Sequence, residues 1–152
     1  MEYKYLKNFI LKSALAFVLG AHLCASSTID NDLTERQRLQ TNLDSGRFDL
    51  ASVNKAAIVA AVEPNQLALD VLFSQPRGKL RPDQQGVRAA LYVMVSLDRA
   101  IQIKWLLNQP DAEMRPDQVA ITGAYQVAIE KSQLNAIAAL EPYVPWEKRR
   151  YL

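Results

Sequence analysis

Leu80-Arg81-Pro82-Asp83-Gln84 returns 34 residues later as Met114-Arg115-Pro116-Asp117-Gln118. One step back, Gly46-Arg47-Phe48-Asp49-Leu50 keeps Arg and Asp in register. The agreement extends outward from this pentapeptide. Ala56, Ala90 and Ala124 align, as do Val59, Val93 and Val127. So do Leu69, Ile103 and Ile137, then Leu72, Leu106 and Leu140, and Gln75-Pro76 matches Gln109-Pro110. A period of roughly 20–50 residues marks a stack of supersecondary units. Three units follow, at 46–79, 80–113 and 114–147.

Each unit reads as two helices, so the expected fold is all-α, built from stacked helix-turn-helix repeats. In the middle unit, Pro82 suits a first helical turn because its fixed φ is already helical and its missing N–H has no partner there. Asp83 and Asp117 place negative charge where the helix dipole favours it. Val87, Ala90, Leu91, Met94 and Val95 then recur at helical spacing. Asp98 is expected to N-cap a second, shorter helix, with Ser132 in the same place one unit on. Ile103, Trp105, Leu106 and Leu107 fill that helix and Pro110 stops it. Trp105 has Ala139 at its place in the following unit and Val71 in the preceding one, the large-beside-small pairing that interdigitating layers need. Two similar helical hairpins in some other bundle would also carry this pattern.

Two repeat families have units near this length. A tetratricopeptide unit needs a second helix of about fourteen residues, whereas Pro76, Pro110 and Pro142 cut the second helices short. The chain resembles ankyrin repeats more closely. Ala89-Ala90-Leu91-Tyr92 stands where that family has Thr-Pro-Leu-His, Met94-Val95 and Ala60-Ala61 where it has an Ala pair, and Ile103-Lys104-Trp105-Leu106-Leu107 is similar to its Val-Val-Lys-Leu-Leu-Leu run. The family's Gly between helices is Pro64, Asp98 and Ser132 here, and its Gly-Ala-Asp loop is absent. What the resemblance implies is a protein that binds other proteins.

The ends are read as caps. Residues 26–45 form one further helix with Leu33, Leu39 and Leu43 on its apolar side, closed by Gly46, to cover the first unit. Tyr143-Val144-Pro145-Trp146 places aromatic side chains where the last unit has no following neighbour, and a terminal repeat must cover its bare face. Tyr143 and Trp146 as a partner hot spot is the alternative. Residues 148–152 form a basic tail.

Met1–Lys12 carries Lys4, Lys7 and Lys12 against Glu2, and Ser13–Ala25 follows without a charge. A basic start, an apolar stretch and a small-residue exit is the anatomy of a secretory signal peptide, here residues 1–25 with cleavage after Ala25. The uncharged stretch rises only ~20 Å as a helix, short of the ~30 Å hydrocarbon core. Phe9-Ile10-Leu11 would extend it into an uncleaved anchor, which would tie the chain to a membrane. The expected location is the periplasm or the outside of the cell.

Export has a chemical consequence. His22 and Cys24, the single His and Cys of the chain, lie inside the removed segment. A mature chain without imidazole or thiol lacks the base of a nucleophilic triad and the common ligands of zinc. Asp30-Asn31-Asp32 lacks the Gly and distal Glu of a calcium loop, and the isolated glycines cradle no phosphate. Beyond residue 25 basic and acidic side chains balance, so there is no cationic stripe for nucleic acid. No enzyme activity, metal or cofactor is expected. Carboxylate pairs leave glycoside hydrolysis formally open, but the acids sit at helix starts, where capping accounts for them.

The expected function is a non-catalytic interaction module with a protein partner bound by turn tips and first-helix face. Arg47, Arg81 and Arg115 form a row that an acidic partner would read; Tyr92 and Gln126 on the first helices, with Tyr143 and Trp146, complete the candidate contacts. Asp49, Asp83, Asp117, Leu72, Trp105, Leu106 and Leu140 are expected to hold the repeats. Because the motif is periodic with the architecture, the arginines read first as a ladder of turn residues in which Asp caps a helix and Arg pairs across units, and the contact row is the alternative. A small-molecule or lipid carrier with a pocket between helices is the alternative function.

Overall fold

Asp49, Asp83 and Asp117 each end an extended segment and begin a helix. Their carboxylates accept the N–H of Ser52 at 2.8 Å, of Gln85 and Gly86 at 2.9 and 3.0 Å, and of Ala120 at 2.8 Å. An acidic oxygen there satisfies donors that the helix leaves unpaired. In the computed structural model, which describes residues 28–149 and the side chains from Thr34 on, these caps start α2 (Leu50–Val62), α4 (Gln84–Ser96) and α6 (Gln118–Glu130). The shorter partners are α3 (Gln66–Phe73), α5 (Ala100–Leu107) and α7 (Leu134–Leu140), and α1 (Thr28–Asp44) precedes them all. Long helices thus begin at 50, 84 and 118 and short ones at 66, 100 and 134. The described residues are all-helical, with seven α-helices packed together and no strand. The expected signal segment 1–25, its cleavage after Ala25, the side chain of Leu33 and residues 150–152 lie outside the described residues.

Two capping expectations are corrected. Pro82 is not in a helical turn; α4 begins after Asp83, and Pro82 is buried just ahead of the cap. Asp98 and Ser132 do not cap their own second helices, whose N-cap residues are Arg99 and Gln133. They occupy the left-handed position after α4 and α6, with φ of 55° and 54°. The turn explains it. Arg99 N–H bonds Met94 O and Asp98 N–H bonds Val95 O, and Gln133 with Ala128 and Ser132 with Ile129 repeat the pair. This pair of hydrogen bonds closes a helix with a left-handed residue. In the first unit Pro64 holds that place at φ 26°, and Asn65 N–H bonds Ala60 O.

The core follows the repeat. Leu69, Leu91, Met94, Ile103, Leu106 and Leu140 are fully buried, as are Ala90 and Ala124. Each large aliphatic removed from water contributes about 1.5–3 kcal/mol. α2 packs on α4 and α4 on α6, while each short helix packs back on its long partner. α5 packs on α7, where Ala139 is buried and small. Between α3 and α5 the rings of Phe73 and Trp105 meet edge to face, centroids 5.4 Å apart. α1 lies on α3, burying Leu39 and Leu43, and its Gln40 exchanges amide hydrogen bonds with Gln75 at 2.8 and 3.1 Å.

Polar side chains bind neighbouring units at the same period. Asn54 donates to the Asp83 carboxylate at 2.8 Å and accepts Asp83 N–H at 3.1 Å; one unit later Arg88 pairs with Asp117. Two glycines let the long helices approach. A Cβ on Gly86 would lie 2.2 Å from Asn54 Oδ1, and one on Gly123 would lie 2.3 Å from the Tyr92 hydroxyl. The facing side chains occupy that space.

Candidate functional site

Of the three arginines at the turns, Arg81 is not offered outward. Its side chain is only 12% exposed and its guanidinium is shared by Asp111, at 2.7 Å, and Glu113. Arg77 joins Asp111 from outside at 3.4 Å. The Glu113 N–H, then Arg81 and Arg77, hold the Asp111 carboxyl far below the usual carboxylate range. Arg47 is exposed and Arg115 reaches the Pro110 carbonyl at 3.4 Å, so the triplicated motif supplies three aspartate caps but no uniform arginine row.

The first-helix candidates separate in the same way. Tyr92 is half-buried, its ring against the core and its hydroxyl over Gly123 of the next helix. Ile58, Tyr92 and Gln126 occupy the same place in α2, α4 and α6. The place that is half-buried in the earlier units ends as an exposed glutamine, a polar finish to a terminal unit. In the tail, Val144 is buried and Tyr143 packs on the core with its hydroxyl donating to Asn108 at 3.2 Å. Gln118 donates to Tyr143 O at 3.1 Å. Trp146 is 60% exposed, so the tail covers the last unit through Tyr143 and Val144.

The side chains that stand out lie elsewhere. Ile101 is 84% exposed and Leu134 is 73% exposed, at the starts of α5 and α7. Asp98 joins these two helix starts, for its carboxylate accepts Ala136 N–H at 2.8 Å and an Asn135 amide hydrogen at 2.6 Å. Ile101, Leu134 and exposed Leu97 are all within three residues of that bridge. Along α5, Ile101, Lys104, Trp105 and Asn108 fall at i, i+3, i+4 and i+7, one stripe of a helix. Ile103, Leu106 and Leu107 are buried on the other side.

That stripe borders a groove of about 540 Å³ lined by Arg36 of α1, Asp70 and Ser74 of the α3 end, and Lys104, Trp105 and Asn108 with Gln109 and Pro110. Trp105, half-buried, meets Phe73 of α3 edge to face beside this groove. Arg36 pairs with Asp70 at 3.6 Å, and Gln66 donates to Asp70 at 2.9 Å. Gln109 Nε2 donates to Trp105 O at 3.2 Å and Asn108 Nδ2 to Lys104 O at 2.7 Å, which fixes the far wall. Sequence reasoning placed Trp105 among the repeat-holding residues and missed Ile101, Lys104 and Leu134. The signal was there, since Ile101 is apolar but out of phase with the buried positions of its helix.

Among the described residues no cluster of acidic, His or Cys side chains has the makings of a metal site, and no helix is long and apolar enough to cross a membrane. Comparison of the chain with protein-family models, with curated proteins and with solved structures finds no match.

Proposed function

We propose that this chain is a non-catalytic protein–protein interaction module of ankyrin-like build, exported by its N-terminal segment. The recurrence of helix starts, left-handed turns and aspartate caps every 34 residues supports the repeat reading. The observation that carries binding is the pair Ile101 and Leu134. Single exposed apolar side chains are ordinary. Two large ones at adjoining helix starts, on an edge tied by Asp98 and continuous with the Trp105 groove, form an apolar contact area of the kind that interfaces use. The binding surface is therefore placed on the outer face of α5 and the start of α7, rather than on the arginine turns.

The test is affinity capture with the full-length, epitope-tagged chain recovered after export, with mass spectrometry of both the partner and the mature N-terminus. Ile101→Lys and Leu134→Lys are expected to abolish capture with unchanged melting, because both side chains are already in water. Equal capture by wild type and both variants refutes the surface, and an N-terminus at Met1 in a cytoplasmic fraction refutes export.

A further inference from the structure

The groove beside Ile101 has the chemistry of a peptide site. We propose that it binds an extended acidic segment of the partner, with one apolar side chain against the Trp105 indole and one carboxylate against Lys104. The inference rests on the interaction-module reading and names the partner's chemistry.

Charge selects the acidic class. The groove carries three charged side chains, Arg36, Asp70 and Lys104. Asp70 is already held by Arg36 and Gln66, so those two charges offset each other. Lys104 is exposed and has no ion-pair partner among the described residues, which leaves the trench one positive charge in excess. A carboxylate beside it gains a charge-assisted hydrogen bond without breaking an existing one.

Shape selects an extended chain. The volume falls in the range of small-ligand sites, but the trench is open to solvent and runs across α1, α3 and α5. A compact molecule would keep much of its surface in water there, whereas a peptide lies along it. Trp105 contributes a flat apolar wall, and Pro110 is part of the lining. The indole also carries one N–H donor. Because Asn108 and Gln109 are bonded to α5 carbonyls, the wall is set before binding, which reduces the ordering cost.

The experiment is selection of a displayed random decapeptide library on the full-length protein, followed by fluorescence polarisation with the enriched peptides. Enriched sequences are expected to pair an Asp or Glu with a nearby large apolar residue. Replacing that acid by its amide should weaken binding about tenfold, and Lys104→Glu should do the same, with only the small loss of stability that an acid in the last turn of α5 brings. A peptide carrying Lys in place of the acid should then recover affinity for Lys104→Glu. No enrichment, or enriched peptides indifferent to Lys104→Glu, overturns the proposal. If a captured protein partner is lost on Ile101→Lys yet unaffected by Lys104→Glu, the groove is excluded while the interaction module stands.

Discussion

The Arg99 guanidinium donates to the Val62 carbonyl at 2.8 Å and to Ala61 O at 3.1 Å, closing the C-terminus of α2 from the following unit. Gln133 repeats this one unit later, donating to Ser96 O at 3.3 Å. A cation at a helix C-terminus satisfies unpaired carbonyls and opposes the dipole. Each of the two junctions between units is therefore tied along the turn edge by one side chain.

Arg99→Ala should lower stability by about 1–2 kcal/mol, read from the urea midpoint. Arg99→Gln should cost less, because an amide suffices at the equivalent place. Equal losses for the two variants would mean that the hydrogen bond is not what Arg99 contributes.

Ser132 holds φ 54°, a conformation in which a Cβ is crowded by the backbone. Its side chain is exposed. Ser132→Gly should raise stability by about 1 kcal/mol, seen as a higher melting temperature. A lower one would show that the residue's turn is not left-handed in solution.

The Tyr125 ring is fully buried and its hydroxyl has no hydrogen-bond partner among the described residues. Burial pushes the phenol pKa up, and nearby Glu141 adds to it. Tyr125→Phe removes a desolvated donor and keeps the packing, so chemical denaturation should show a gain of about 1 kcal/mol. A clear loss would reveal a partner for the hydroxyl.

Among the described residues, four aspartates titrate below their ordinary value of 3.8: Asp111, Asp117, Asp49 and Asp44. The leading causes are the Glu113 N–H for Asp111, the Ala120 N–H for Asp117, the Ser52 hydrogen bond for Asp49 and Gln40 for Asp44. A folded-state pKa below the unfolded one stabilises the protein above the unfolded value, and that contribution disappears as pH falls through the folded value. The denaturation midpoint should therefore fall below about pH 4. Asp111→Asn should flatten part of that acid limb; an unchanged limb would mean that the Arg77–Arg81–Asp111 cluster does not form.

The apolar register was legible because helix formation and burial are local and periodic. Leu72, Leu106 and Leu140 point the same way in each unit since the same turn of helix recurs there, and all three are buried. Aspartate at a helix start is equally local, since the groups it satisfies lie two or three residues away. Asp98 was misread because its own position suggested a cap for α5, while its carboxylate reaches Ala136, which only the stacking of α5 and α7 brings near. Arg81 was legible as a paired turn residue or as a contact but its partners were not, since nothing nearby in the chain announces that Asp111 and Glu113 return to it.

By itself the sequence determined a helical period of 34 residues, the aspartates that begin the long helices, and which repeated aliphatic side chains enter the core. These depend on backbone propensity, capping and hydrophobic spacing within a few residues. Only the tertiary structure decided which polar groups are consumed between units and which side chains remain in water. Exposure is a property of neighbouring helices: buried Ile103 and exposed Ile101 belong to the same helix, and only the packing of α5 on α4 and α7 separates them.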